Sequence, residues 1–334
     1  MHRLVLSAAL LAVGLPAGLA QTHSQTHSLV SPWDGSTPVL SGVPYPCPAP
    51  PKTQFEPSFD RGVNLVPLAT QLTDAADAYR ENGSKAAAEC TIRILNAAAA
   101  YDWMSESDAT KELYFQESQA LNAAAIAYLK IWGSGVVTPN QAELVQQWFS
   151  VEARRQQVFF DLFAKRNSKL PTGHDHRLFL AGYAVMSAAI AADDRRLYDW
   201  GVSTFHEGTN KIDKNGMMVW ERCSNGLTAK CHLEAAASLV MMAEYGDYNG
   251  DALYEYKDGA LHLLVKSALA GLADPNAFQA FSDGEAQHLP AHMQPWEIGW
   301  AETYQRRFPE DEIARLLKVR SSHRCIGWGG TPAP

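Results

Sequence analysis

Four consecutive ionisable side chains form the richest cluster of potential catalytic groups in this sequence. His174, Asp175, His176 and Arg177 come directly before a stretch with helical periodicity. Imidazole and carboxylate groups can move protons, and a guanidinium group beside a helix N-terminus attracts anions. The His-x-His spacing also suits a metal ion, but no third and fourth ligand follow at a recognisable spacing. The segment therefore indicates an acid–base site without metal, with a purely structural role as the alternative.

A second group of charged residues lies further along the chain. Trp220 and Arg222 come first, and Lys230, His232 and Glu234 follow at the start of another predicted helix. Lys230 and Glu234 are four residues apart and share one face of that helix, which a surface salt bridge alone would also explain. His232 lies on a different face. This polar helix start is a second candidate for the same site.

A third group lies near the C-terminal end and contains His288, His292, Trp296, Glu297 and Trp300. An exposed tryptophan beside a cleft can stack on a sugar ring, which makes Trp296 a candidate for substrate binding. Tryptophans four residues apart are also typical of a helix face that packs into the core. Core packing is the favoured interpretation for this group.

The elements that must position these groups are predominantly helical. Apolar residues recur at helical spacing, with Ser84 as an N-cap and Thr138-Pro139 as an N-cap and first-turn proline. Asn215-Gly216 suits a tight hairpin turn, and other strand signals are scarce. Short connections and broad Ala-rich faces predict an all-α fold, an (α/α) toroid of antiparallel helical hairpins. The predicted helices cover residues 64–81, 84–103, 109–132, 139–166, 177–192, 194–211, 229–246, 252–272 and 310–319.

Composition and targeting signals restrict the class of protein. The chain has 334 residues, 46% of them hydrophobic, and a formal net charge of −8, so no global positive field recruits nucleic acid. Residues 1–20 read as a signal peptide that leaves Gln21 first, and no later run is apolar enough to span a membrane. We therefore expect a periplasmic or secreted monomer with a Pro-rich extended arm over 21–60 and a single domain over 61–334.

Five cysteines fit export into an oxidising compartment: Cys47, Cys90, Cys223, Cys231 and Cys325. An odd number of cysteines leaves at least one without an intramolecular partner. The sequence contains no Cys-x-x-Cys pair, which argues against a zinc ribbon. A bridge from Cys47 to Cys90 would tie the N-terminal arm to a helix. A bridge from Cys223 to Cys231 is the second expectation.

The collinear order of several segments resembles the mannuronate-specific alginate lyase family, polysaccharide lyase family five. The matching segments are Cys47–Pro51, Ala123–Leu129, Leu178–Glu221, Cys231–Glu234 and Trp296–Gly299. Members of that family are exported, metal-independent (α/α) toroids. The resemblance implies β-elimination on an acidic polysaccharide with no cofactor.

The resemblance also implies which residues act, and where this chain departs from the family. His176 falls at the position of the family histidine, Glu234 where the family has its catalytic tyrosine, and Leu227 where it has an arginine. Lysis of a uronate requires neutralisation of the C5 carboxylate, a base for the C5 proton and an acid for O4. The expected catalytic residues are His176, Arg177, His232 and Glu234, and the expected substrate-binding residues are His174, Asp175, Trp220, Arg222, Lys230 and Trp296.

Two alternatives remain open because of the substituted residues. Asp175 and Glu234 could be the carboxylate pair of an inverting glycoside hydrolase. The chain could also bind an exopolysaccharide without cutting it, since two expected catalytic groups are missing.

Overall fold

The computed structural model describes residues 28–49, 66–104, 111–166, 174–218, 223, 225–289 and 299–319. Helices dominate these ranges, and two short 3-10 turns lie at Leu253–Glu255 and Pro275–Phe278. The helices are α1 Val66–Asn82, α2 Lys85–Tyr101, α3 Lys111–Ile131, α4 Pro139–Arg166, α5 His176–Ala192, α6 Arg195–Asn210, α7 Thr228–Tyr248, α8 Tyr256–Ala273, α9 Trp300–Arg307 and α10 Asp311–Val319.

The helices form two concentric rows. Helices α1, α3, α5 and α7 contact one another in sequence and form the inner row, while α2, α4, α6 and α8 pack against them from outside. The inner helix α5 is buried along nearly its whole length, since only Arg177 and Ala192 retain appreciable exposure. An inner helix covered on both sides explains the Ala-rich faces in the sequence, and the predicted all-α toroid is confirmed.

Helices α5 and α6 approach each other closely through glycine. A Cβ atom placed on Gly182 would lie 2.6 Å from Cγ2 of Thr204, and one on Gly201 would lie 2.9 Å from Cβ of Met186. Such contacts are shorter than real Cβ contacts allow, so larger residues would push the helices apart. This packing fixes α6 beside the N-terminal end of α5, where the candidate site lies.

The segment before α1 is attached to the helices at several points. Cys47 and Cys90 form the predicted disulfide, and Trp33 is buried in the core. The Ser41 N–H donates to the Gly83 carbonyl, which docks the segment beside the turn between α1 and α2. The predicted signal peptide and much of the predicted arm lie outside the described residues.

Two local predictions need correction. No helix is predicted over Trp300–Arg307, where the structure has α9. The regular part of α8 begins late, because Lys257 and Asp258 adopt left-handed backbone angles with φ of 53° and 55°.

Around Asn215-Gly216 the chain makes a turn closed by a single antiparallel bridge from Ile212 to Met218. Among the described residues, no helix is both long and apolar enough to cross a membrane.

Candidate active site

The candidate site lies where the N-terminal ends of the inner helices α5 and α7 meet. His176 is the first residue of α5, and Glu234 follows in the second turn of α7. The Nε2 atom of His176 lies 3.3 Å from Oε2 of Glu234. The imidazole is buried and meets the ring of Phe115 edge-on, whereas 24% of the Glu234 side chain remains exposed. A buried imidazole thus supports a carboxylate that solvent can reach.

Lys230 supplies a cation to the same carboxylate. Its Nζ atom lies 3.0 Å from Oε1 of Glu234, so the two carboxylate oxygens face different partners. Lys230 and Glu234 are one helical turn apart, as their spacing predicts. A carboxylate that must work beside an anionic polymer needs such a cationic neighbour.

Asp175 and Arg177 flank His176 but perform different tasks. The Asp175 carboxylate is the N-cap of α5 and accepts a hydrogen bond from the Arg177 backbone N–H at 3.2 Å. The Arg177 guanidinium is about one third exposed and lies 3.9 Å from the Asp175 carboxylate. Asp175 therefore fixes the helix end, and Arg177 carries positive charge toward solvent.

His174 contacts a carboxylate that the sequence analysis did not identify. Its Nδ1 atom pairs with Oε1 of Glu207 on α6, and Lys211 Nζ lies 2.6 Å from the same oxygen. Burial alone would raise the pKa of Glu207, but the hydrogen bonds from Lys211 and His174 lower it below its usual value. The Glu207–Lys211 spacing of four residues was the available signal, whereas the contact with His174 depends on helix packing.

His232 binds backbone groups of α7 and of the preceding turn. Its Nδ1 lies 2.9 Å from the Thr228 carbonyl, and its Nε2 accepts a hydrogen bond from the Met218 N–H, also at 2.9 Å. The ring is fully buried between Phe278 and Phe281. Both nitrogens are therefore occupied, which speaks against the predicted role as a base and indicates that His232 fastens the 213–218 turn to α7.

The start of α7 is held mainly by residues from elsewhere in the chain. Leu227 is the N-cap residue and offers no side-chain hydrogen bond. Instead, the Ala229 N–H donates to Oε1 of Gln287 at 3.3 Å, and a disulfide joins Cys231 to Cys223. This second expected disulfide lies beside His176.

Three candidate residues, Trp220, Arg222 and Trp296, lie outside the described residues. The nearby Trp300 is fully buried, in agreement with the core interpretation of that aromatic group. The structure thus unites His176, Lys230 and Glu234, keeps Asp175 and Arg177 beside them, and places His174 against Glu207.

Comparison with known proteins identifies the family. The alginate lyase family model matches residues 23–278. The chain belongs to the alginate lyase family. A polysaccharide lyase of Stenotrophomonas maltophilia is 27% identical over 81% of this chain and 78% of its own length. Alginate lyases of Cobetia marina and Azotobacter vinelandii are each 28% identical over 68% of this chain, and the match spans 60% of their length. The enzyme class that these relatives share is that of polysaccharide lyases.

Solved structures of a family member have the same fold. A histidine-to-alanine variant of alginate lyase A1-III, complexed with a tetrasaccharide, superposes with a TM-score of 0.69 at 21% identity, covering 84% of this chain and 83% of that one. The structure of alginate lyase A1-III from Sphingomonas species A1 gives a TM-score of 0.65 at 20% identity, covering 85% of each chain. At these identities the match establishes the shared toroid.

We predict that His232 makes the stability of this lyase depend on pH. Burial lowers the pKa of His232 from 6.5 to about 4, so below pH 6.5 the unfolded chain binds a proton that the folded chain does not. Stability contributed by neutral His232 is complete above pH 6.5 and is lost as the pH falls toward 4. The expected loss between pH 7.5 and 4.5 is about 2 to 3 kcal/mol.

The measurement is the free energy of unfolding in urea at both pH values for the wild type and His232→Gln. Glutamine can keep a donor and an acceptor but does not titrate, while the carboxylates titrate equally in both proteins. Between the two pH values, the variant should lose about 2 to 3 kcal/mol less stability than the wild type. An identical pH dependence in the two proteins would contradict the prediction.

Proposed function

We propose that this protein cleaves a β-linked polyuronate of the alginate type by β-elimination, with Glu234 as the group that moves the proton. The observation that carries the proposal is the contact of the exposed Glu234 carboxylate with His176 on one oxygen and Lys230 on the other. The names of the relatives, alginate lyase and polysaccharide lyase, support the substrate class.

Positive charge at the site suits an anionic polymer. Lys230 reduces the repulsion between Glu234 and a uronate carboxylate, and the exposed guanidinium of Arg177 is placed to neutralise that carboxylate. The N-terminal ends of α5 and α7 add partial positive charge at the same place. These charges take the part that the arginine at the position of Leu227 would have in the family pattern.

The elimination step uses one proton and one electron pair. The Glu234 carboxylate removes the C5 proton, the electrons of that bond form the C4–C5 double bond, and the C4–O4 bond breaks. Protonated Glu234 then returns the proton to the departing O4, so the carboxylate is regenerated. His176 is the positioning residue that holds Glu234 through its Nε2 atom.

The hydrolase alternative receives less support from the contacts. An inverting hydrolase needs two carboxyl groups that face the substrate from opposite sides. Asp175 is buried, caps α5 and faces Arg177, so its carboxylate already has partners.

Digestion of polymannuronate, alginate and glucuronan by the mature protein tests the proposal. We expect the ultraviolet absorbance of 4,5-unsaturated uronates and the number of reducing ends to rise together. The polymer that is cut fastest identifies the substrate. Reducing ends without absorbance would identify a hydrolase. No change in either signal, combined with polymer binding in a direct titration, would identify a non-catalytic binding protein and overturn the proposal.

Replacement of Glu234 by Gln should lower kcat by about 10²- to 10⁴-fold, because the amide cannot accept the C5 proton. The matched control is Glu89→Gln, since Glu89 forms an i,i+4 pair with Lys85 on the outer helix α2. Glu234→Tyr, which restores the family residue type, should retain more activity than Glu234→Gln. Equal rates for the wild type and Glu234→Gln on the best polymer would exclude Glu234 as the base.

We further propose that the protein is exported as a monomer after removal of residues 1–20. The supporting observations are the apolar run from Leu4 to Leu15 and two disulfides, which persist in oxidising compartments. Expression of the full chain in a Gram-negative host should yield periplasmic or secreted protein whose N-terminal residue is Gln21. Recovery of an unprocessed chain in the cytosol would contradict this prediction.

A further inference from the structure

The Cys223–Cys231 disulfide lies against the histidine of the candidate active site. A ring nitrogen of His176 and the two sulfur atoms all lie within 4.8 Å of one another. Cys231 and His176 are buried, whereas Cys223 is partly exposed and offers a reductant access to the bond. The function proposed above uses His176 and Glu234 but gives the disulfide no chemical task.

The three side chains would form a different kind of site once the disulfide opens. Two thiolates and one imidazole are a ligand set that Zn²⁺ prefers, and the two negative charges balance the charge of the ion. Bonded to each other, the same sulfur atoms are not thiolates and do not ligate in this way. The redox state of the disulfide therefore decides whether the ligand set exists.

Neighbouring contacts keep the two cysteines close after reduction. The Thr228 hydroxyl donates to the Cys223 carbonyl at 3.1 Å, and Gln287 holds the first turn of α7 through the Ala229 N–H. Cys231 lies in the first turn of that helix, where the partial positive charge of the helix N-terminus favours a thiolate. Since the three donor atoms already lie within 4.8 Å of one another, they are close enough to share one ion once the two sulfur atoms separate.

We propose that reduction of Cys223–Cys231 creates, together with His176, a three-ligand site for a thiophilic divalent cation such as Zn²⁺. A dithiol reductant supplies two electrons and two protons, which convert the disulfide into two thiols while the reductant becomes a cyclic disulfide. Binding of the ion releases the two thiol protons to solvent. Ligation of the ion by His176 changes the charge of the ring that holds Glu234 and inhibits turnover, and this inhibitory consequence rests on the function proposed above.

Cobalt absorption tests the site without reference to activity. The full mature protein is reduced with dithiothreitol, freed of reductant by gel filtration under nitrogen and titrated with Co²⁺. We expect thiolate-to-cobalt charge-transfer bands and the visible bands of tetrahedral cobalt, saturating at one ion per chain and displaced by Zn²⁺. The oxidised protein should show neither set of bands.

Three variants identify the ligands. Cys223→Ser together with Cys231→Ser should abolish the bands, and His176→Ala should weaken Co²⁺ binding at least about tenfold, since loss of even an outer-shell partner costs that much. The matched control is the triple variant that replaces the other three cysteines by alanine, Cys47→Ala, Cys90→Ala and Cys325→Ala. This variant keeps only the proposed pair of thiols. Its bands should equal those of the wild type, and circular dichroism checks that each variant retains its helices.

The outcomes separate this inference from the proposed function. Absent bands in the reduced protein, or equal Co²⁺ affinity after His176→Ala, overturn the site, whatever the lyase assay shows. If the bands appear and the lyase is active, Zn²⁺ should inhibit only the reduced enzyme, and a chelator should restore the rate. Full activity of the reduced, zinc-loaded enzyme would overturn the inhibitory consequence.

Discussion

Burial of α5 on all sides is the constraint on which the candidate site depends. A helix that packs against α3, α4, α6 and α7 can present chemistry only at its ends, because any polar group along its length would need a buried partner. Its N-terminal end carries the partial positive charge of the helix dipole. The first residue, His176, is consequently the point at which the core of the toroid meets the candidate site.

The resemblance to the family places a charged carboxylate, Glu234, where the family has a neutral tyrosine hydroxyl. In the proposed function a tyrosine would meet an anionic polymer without repulsion, whereas Glu234 adds a negative charge. Lys230 is on the same helix face at 3.0 Å and offsets that charge. In the proposed function, Lys230 therefore supplies positive charge that the resemblance assigns to an arginine at the position of Leu227.

The sequence predicted the helices well and the site only in part, for physical reasons. Helical periodicity and local caps such as Ser84 are short-range signals, so most helix ends fall within a few residues of prediction. The Lys230–Glu234 pair is also local. The contact of His174 with Glu207 joins residues 33 positions apart, and no local pattern encodes it. For His232, the separate helix face was visible in the sequence, but only the structure shows that this face lies in the core.

The way in which α7 begins connects stability with chemistry. Because Leu227 cannot cap the helix, its first turn relies on Gln287, on the disulfide to Cys223 and on the hydrogen bonds of His232. The partners Gln287, Cys223 and Met218 all lie outside the helix. The first turn of α7 carries Lys230, and the next turn carries Glu234. Rigid placement of the lysine and the carboxylate is what electrostatic preorganisation demands, since the charges must already point at the reacting carbon when substrate arrives. The hydrogen bonds of His232 thereby help to hold in place the helix that carries Glu234.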